Sequence, residues 1–215
     1  MSFPEYLADR WPEILRLAAD HARVVGVAVA AASVLGVGLA VATSGHRWAA
    51  AAATRAAATI FTVPSFALFG LLIPLLGLGY APTVVTLVVY ALLPILRNSI
   101  AGLRSVDPAV VEVATGMGLG RWRRLRHVEL PLAWPVILAG IRVATLLSIG
   151  IAAIAAVVNG PGLGNHILRG LAQVGGARAA DLALGGTLGI IGLALVADAC
   201  FVLLRRVTTS RGIRT

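Results

Sequence analysis

The sequence predicts an all-α integral membrane protein, a helical bundle of about five transmembrane helices with one long cytoplasmic loop. Composition is the first reason: of 215 residues, 59% are hydrophobic and only 13% are charged, with a mean hydropathy of +0.91. A soluble domain carries roughly a quarter charged residues, so this chain in water would leave too much apolar surface uncovered. Pattern is the second reason, because the apolar residues form long runs, and about 20 such residues cross the roughly 30 Å hydrocarbon core of a bilayer.

The N-terminal segment, residues 1–23, is charged and amphipathic, which predicts an interfacial helix and not a removable signal peptide. The spans that follow contain prolines that would break a soluble helix. Inside a membrane bundle, neighbouring helices can satisfy the carbonyl groups that a proline frees. The whole chain, residues 1–215, is therefore predicted to be a single transmembrane domain, with spans at about 24–43, 56–78, 82–97, 131–158 and 182–204.

The distribution of arginine gives these spans a direction. All 18 basic residues are Arg, and they concentrate between the first and second spans, between the third and fourth, and after the fifth. When the second of these segments is counted from Arg97, the three hold twelve Arg and three acidic residues, whereas the other three extramembrane segments hold five of each. Because loops rich in Lys and Arg stay in the cytoplasm, we expect the N-terminus outside and the C-terminus in the cytoplasm.

Composition also argues against several functions. The chain contains no Lys, and the phosphate-binding loop of an ATPase requires one, so we expect ATP hydrolysis on a separate polypeptide. No nucleophile forms a pattern with a general base, which predicts no catalytic residues, no enzyme activity and no bound cofactor. The basic residues lie in short gaps between apolar runs, which argues against a nucleic-acid partner. The histidines lack the spacing of metal ligands, so no metal site is expected; they are His21, His46, His127 and His166.

The predicted cytoplasmic loop, residues 98–130, has helix signals of its own. Asp107-Pro108 is a strong helix start, with Asp as the N-cap and Pro at the first helical position. Gly118 can adopt the left-handed conformation that ends a helix. A second short helix is predicted from Arg121 to Val128. The loop is thus expected to be a helix–turn–helix against the membrane surface, with a face of small residues exposed to the cytoplasm.

The same loop carries a spaced motif: Glu112-Val113-Ala114, three residues, Gly118, nine residues, Val128, one residue, and Leu130-Pro131. It resembles the EAA loop of binding-protein-dependent ABC importer permeases, E-A-A-x3-G-x9-I-x-L-P, with Val113 and Val128 as departures. Residues 20–210 are similar to the glycine betaine/carnitine/choline permeases, for example at Ile73–Gly77, Tyr90–Asn98, Pro135–Arg142 and Gly162–Gly164. In the outer loop the chain has Asn159-Gly160-Pro161 where those permeases have Gly-Ala-Gly.

The resemblance implies a methionine-importer-like transmembrane fold and the role of permease subunit in the bacterial inner (cytoplasmic) membrane. It also implies partners: ATPase subunits that bind ATP and Mg, an extracytoplasmic substrate-binding protein, and a second permease subunit, identical or similar to this one. The implied cargo is a quaternary ammonium osmoprotectant of the glycine betaine, carnitine or choline type, moved by alternating access. The residues leave open an ABC permease for another solute, such as an amino acid or sulfonate, and a channel or scaffold not driven by ATP.

The resemblance assigns ATPase coupling to the motif residues Glu112, Val113, Ala114, Gly118, Val128, Leu130 and Pro131. The nearby cations are expected to contact membrane lipid headgroups or ATPase acids, or simply to fix topology; they are Arg121, Arg123, Arg124 and Arg126. Candidate pathway or gate residues are polar, aromatic or proline positions within or next to spans: Pro64, Ser65, Phe66, Asn98 and Arg142. The alternatives are that the aromatic side chains face lipid or the core and that Arg142 snorkels to the interface. Asp198 is expected to pair with a neighbour or to snorkel. Residues 162–171 are expected to form a short amphipathic helix that either lies at the outer surface or closes the bundle.

Overall fold

The computed structural model describes residues 3–208, and within that range the regular structure is entirely helical. Residues 1–2 and 209–215 lie outside the described range, which removes two of the counted arginines, Arg211 and Arg214, from structural comment. A π turn, Leu125–Glu129, and a 3₁₀ turn, Ala155–Val158, flank the seventh helix. The helices are α1 Phe3–Thr43, α2 Arg47–Phe61, α3 Ser65–Leu76, α4 Tyr80–Arg104, α5 Pro108–Gly116, α6 Arg121–Arg124, α7 Leu130–Ile154, α8 Gly164–Ala172 and α9 Ala179–Thr208.

Four helical stretches among the described residues are long and apolar enough to cross a membrane: α1, α4, α9 and the stretch Arg121–Val158 that contains α7. Helices α2 and α3 are together long and apolar enough for a fifth crossing, although they bend by 90° at a short break between them. The predicted fold class, an all-α membrane bundle of about five spans, is confirmed.

The N-terminal segment differs from the prediction of a separate interfacial helix over residues 1–23. Its described part is the first half of α1, a single helix of 41 residues. No proline lies near residue 24, so nothing interrupts the helix where the charged half meets the apolar half. At 1.5 Å per residue such a helix is about 60 Å long, roughly twice the hydrocarbon thickness. The charged half therefore extends the first span beyond the bilayer core.

The second and third spans also have different bounds from those predicted. The span predicted at 56–78 is divided, because Pro64 has no N–H to donate and favours an extended conformation in the residue before it. The span predicted at 82–97 is the longer α4, Tyr80–Arg104. The apolar run ends at Leu96, but the helix continues past it, and Ser99 is fully buried.

The second cytoplasmic helix, predicted at Arg121–Val128, does not stand alone. Residues Arg121–Arg124 begin a helical stretch that continues through the π turn into α7. Pro131 has no N–H and cannot donate a backbone hydrogen bond. The π turn accommodates this proline. In that turn the Leu130 N–H bonds to the carbonyl of Leu125, five residues back, whereas an α-helix would use the residue four back. The predicted loop 98–130 is correspondingly shorter, with non-helical residues only around α5.

Helix α4 lies at the centre of the bundle and packs against α1, α2, α3 and α7. Small residues allow the closest approaches: a Cβ built at Gly140 of α7 would lie 2.5 Å from the Cβ of Asn98 on α4. Close backbone contact of this kind is how helices associate in lipid. Helix α9 packs less deeply, since no residue in its most apolar stretch is buried within the subunit.

The loops gather at two ends of the bundle. At one end, which we call the arginine-rich end, the Arg121 guanidinium lies against Gly45, and Trp134 Nε1 donates a 2.9 Å hydrogen bond to Thr208 Oγ1. At the opposite end, the Gly79 N–H bonds to the Val158 carbonyl at 2.7 Å. Helix α8 and the charged half of α1 also lie at this opposite end.

Candidate functional site

The helix α5 is held in place at both of its ends. The Asp107 carboxylate accepts a 2.8 Å hydrogen bond from the Ala109 N–H, and Pro108 occupies the first turn, as predicted. After the helix, Gly118 adopts a φ of +80°, the left-handed conformation expected of it. These local signals define a nine-residue helix at the arginine-rich end of the bundle.

One side of α5 is an exposed apolar surface. Val113 is 64% exposed and Met117 is 75% exposed, and Val110 lies on the same side because residues three, four and seven apart share a helix face. Glu112 is exposed beside them. We call Val110, Glu112, Val113 and Met117 the α5 surface. An apolar stripe that the subunit leaves uncovered at a helix of this kind is typical of a protein-binding site.

Ala114 lies on the other side of α5. It is only 5% exposed, and α5 contacts the segment formed by α6 and the π turn. The structure therefore places Ala114 within the subunit, where its small side chain lets α5 approach its own chain. Val113, which departs from the motif, belongs to the exposed side.

Arg124 connects α5 with the start of α7. Its Nε donates a 2.7 Å hydrogen bond to Glu129 Oε1, and its Nη1 donates a 3.0 Å hydrogen bond to Thr115 Oγ1. Both side chains of the Arg124–Glu129 ion pair are largely covered, so the contact is more persistent than a fully exposed one. The predicted arginine cluster is thus divided: Arg124 is internal, whereas Arg121, Arg123 and Arg126 are exposed.

The last motif residues form the junction with α7. Val128 lies in the π turn, and Pro131 occupies the first turn of α7. Leu130 packs against an apolar cluster that includes Leu125 and Ile100. These three residues therefore shape the connection between α5 and α7 and are not part of the α5 surface.

The candidate pathway residues Pro64, Ser65 and Phe66 lie together at the bend between α2 and α3. Phe66 is exposed and Ser65 is half-buried. Tyr90 of α4 fixes this bend, because its hydroxyl donates a hydrogen bond to the Val63 carbonyl. The rings of Tyr90 and Phe61 also pack with centroids 5.4 Å apart. Sequence reasoning did not give Tyr90 a role, since only the fold brings it to this bend.

Asn98 and Arg142 lie at two other helix contacts. The Asn98 Nδ2 donates a 2.9 Å hydrogen bond to the Pro94 carbonyl within α4, and its Cβ packs on Gly140. Arg142 of α7 forms an ion pair with Asp198 of α9 at 2.6 Å, so the expectation that Asp198 has a partner is confirmed. The structure does not bring the five candidate pathway residues into one site.

A second polar cluster, missed from the sequence, joins α1 to α8 at the opposite end. Glu13 Oε1 lies 3.2 Å from Nε2 of the buried His166 and 3.5 Å from Arg169 Nη1, and Glu13 Oε2 lies 2.9 Å from Arg10 Nη1. His21, also buried, donates from Nε2 to the Ile149 carbonyl at 3.0 Å. The predicted helix at residues 162–171 is present as α8.

Residues 32–209 match the family model described as "Binding-protein-dependent transport system inner membrane component", and the chain belongs to this family. It is therefore the membrane-embedded permease component of such a transport system, and the predicted class of ABC permease is confirmed.

Relatives match over nearly the full chain. The osmoprotectant import permease protein OsmW of Salmonella typhimurium is 40% identical over 214 residues, covering 97% of this chain and 98% of the relative. The glycine betaine/carnitine/choline transport system permease protein OpuCB of Bacillus subtilis is 34% identical over 209 residues, covering 97% and 94%. A structure titled as an inward-facing conformation of the MetNI methionine ABC transporter covers 98% of this chain and 100% of its own, with a TM-score of 0.78 and 20% identity. The predicted methionine-importer-like fold is confirmed.

Proposed function

We propose that this permease forms one half of a translocation pathway for a quaternary ammonium osmoprotectant of the glycine betaine, carnitine or choline type. The observation that carries the proposal is the match, over nearly the whole of both chains, to permeases named for osmoprotectants and for these compounds. The methionine transporter shares the fold at 20% identity. Because identity this low indicates the fold alone, its cargo is not used to infer the cargo of this permease. An amino acid or a sulfonate is the competing cargo.

The α5 surface is proposed as the docking site for an ATPase subunit. Its exposed valines and Met117 would bury apolar area on a partner, and Glu112 would meet a partner cation at the edge. Because Arg124 bonds to both Thr115 and Glu129, a displacement of α5 would pass directly to the start of α7. The chain has no Lys for a phosphate-binding loop, so ATP and Mg are assigned to the partner, and this chain is assigned no ATPase activity.

The orientation proposed is N-terminus outside and C-terminus in the cytoplasm. The support is arginine content, since the segments rich in Arg meet at the same end of the bundle as α5. A substrate-binding protein would then dock at the opposite end, near α8 and the charged half of α1. A second permease subunit, identical or similar, would complete the pathway by alternating access.

Phe66 is the residue proposed to contact the cargo. It is exposed at the α2–α3 bend, and an aromatic face attracts quaternary ammonium groups. The bend itself supplies a break in the span, and irregular backbone within a membrane is tolerated where it is covered by protein or lines a cavity.

The substrate class is tested by uptake into vesicles that contain the assembled importer with its ATPase and binding protein. We expect ATP-dependent uptake of labelled glycine betaine that unlabelled choline or carnitine reduces and unlabelled methionine does not. Uptake of methionine or a sulfonate in the absence of betaine uptake would contradict the proposed cargo. Uptake that does not depend on ATP would instead favour a channel.

A further inference from the structure

A groove of about 330 Å³ lies between α7 and α9, away from the α5 surface and from the α2–α3 bend. Its walls are apolar, including Pro135 on α7 and Phe201 on α9, except for two guanidinium groups, Arg142 and Arg205. Phe201 and Arg205 share one face of α9 because they are four residues apart. The groove is therefore an apolar channel with cationic groups along its length.

The two helices run in opposite directions beside this groove. Trp134 contacts Thr208 near the arginine-rich end, and Arg142 contacts Asp198 farther into the bundle. Arg205 consequently lies near the end of the bundle, in the last turn of α9, and Arg142 lies deeper. The cationic mouth of the groove is therefore at the arginine-rich end of the bundle.

The two arginines differ in whether an acidic partner balances their charge. Arg142 directs both Nε and Nη2 to the same oxygen of Asp198, which balances its charge. Arg205 has neither a hydrogen bond nor an ion pair to any of residues 3–208. The mouth therefore carries one positive charge that has no counterion among residues 3–208, beside an apolar wall.

The groove opens to the outside of the subunit. Val143, which lines it, is exposed, and the most apolar stretch of α9 contributes no buried residue. An occupant of this groove must therefore satisfy a guanidinium at one end and an apolar wall along its length. A free phosphate ion would leave the wall uncovered, and a zwitterionic lipid would bring a second cation to Arg205.

We propose that this groove binds one anionic phospholipid, with its phosphate at Arg205 and its glycerol and upper acyl region along Phe201 and Pro135. Basic pockets between transmembrane helices are recurrent sites for anionic headgroups. The lipid would also fill the contact between α9 and the rest of the bundle, where packing within the subunit is shallow. This inference concerns a site beyond the transport pathway and does not depend on which solute is carried.

The test uses the full chain in its assembled importer, purified in detergent and titrated with phosphatidylglycerol or phosphatidylcholine, with bound lipids counted by native mass spectrometry. The variant is Arg205→Gln, and the matched control is Arg206→Gln, which removes the same charge from the neighbouring residue outside the groove lining. We expect preferential binding of phosphatidylglycerol, weakened about fivefold or more by Arg205→Gln and by less than about twofold by Arg206→Gln.

Three results would overturn the proposal. Equal weakening of phosphatidylglycerol binding by the two variants would mean general attraction of the lipid to a basic surface. Equal binding of the two lipids would mean that Arg205 does not select for an anionic headgroup. Displacement of phosphatidylglycerol by inorganic phosphate alone would mean an anion site without a lipid. A melting curve for each variant verifies that the importer remains folded during the titration.

Discussion

Arg142 of α7 and Asp198 of α9 form an ion pair in which Nε and Nη2 both lie 2.6 Å from the same carboxylate oxygen. Both residues occur inside long apolar runs, and their side chains are 38% and 34% exposed within the isolated subunit. The pair is an ionic link between α7 and α9, in addition to the hydrogen bond from Trp134 to Thr208. Charges within a span are costly unless they are paired.

Removal of one partner is therefore expected to cost more than removal of both. Because the pair is partly exposed, we expect Asp198→Asn to lower the free energy of unfolding by about 1–2 kcal/mol. The double variant Arg142→Met/Asp198→Leu should lie closer to wild type, since no charge is left alone. Thermal unfolding in detergent measures this. Variants that are all as stable as wild type would show that the pair makes no contribution, and a double variant no more stable than Asp198→Asn would contradict a cost of the unpaired charge.

The contact between α4 and α7 leaves no room for a side chain at Gly140. A Cβ there would lie 2.5 Å from the Asn98 Cβ and 3.0 Å from the Pro94 carbonyl oxygen. We expect Gly140→Ala to destabilise the protein by about 1–3 kcal/mol through overpacking. Gly150→Ala is the control on the same helix, where nothing lies within 4 Å, and it should be neutral or stabilising by up to about 1 kcal/mol. Similar melting temperatures for the two variants would exclude close packing at Gly140.

The Arg124 contacts are predicted to transmit motion and not to bind the ATPase. Arg124→Gln removes the ion pair with Glu129 while leaving the α5 surface intact, so ATPase subunits should still co-purify and hydrolyse ATP while uptake per ATP falls. Arg123→Gln removes an equal charge from an exposed neighbour with no side-chain partner within residues 3–208, and coupling should be unchanged. Loss of ATPase binding in Arg124→Gln would contradict this role, as would unchanged coupling.

Phe66 is predicted to contribute to cargo affinity through its aromatic face. Phe66→Leu should raise KM for glycine betaine by roughly two- to tenfold, because a cation–π contact contributes about 0.5–1 kcal/mol when exposed and more when desolvated. Phe66→Tyr keeps the aromatic face and should restore a KM close to wild type. An unchanged KM in the leucine variant would remove Phe66 from the pathway.

Local signals predicted the parts of this fold that depend on neighbouring residues. Asp107-Pro108 and Gly118 define α5 because an N-cap, a first-turn proline and a left-handed glycine act within a few residues. The apolar runs predicted the spans for the same reason. The end of α4 was misplaced, because the apolar run ends at Leu96 whereas the helix continues to Arg104.

Features that depend on distant parts of the chain were not predictable from one sequence. Glu13 and His166 are far apart along the chain, as are Tyr90 and Val63, and nothing local indicates either contact. The orientation of α5 was also missed. A nine-residue helix with apolar residues on both sides does not reveal that Ala114 faces its own chain and that Val113 and Met117 face outward.

Coupling to the ATPase is best tested by a substitution on the exposed side of α5 and not by one at Gly118. Gly118 has a φ of +80°, so Gly118→Arg would strain the backbone and confuse a lost contact with a distorted loop. Val113→Asp instead places a charge on the exposed apolar side of a helix whose fold it leaves unchanged. Val207→Asp is the matched control, since Val207 is highly exposed at the arginine-rich end but outside the motif.

The most direct measurement is ATP-driven glycine betaine uptake, with co-purification of the ATPase, for importers that carry Val113→Asp or Val207→Asp. We expect Val113→Asp to release the ATPase and to reduce uptake about tenfold or more, because a central apolar contact is lost, while Val207→Asp retains both. Full uptake and a stable ATPase complex in Val113→Asp would contradict the claim that α5 is the site through which ATP drives this permease.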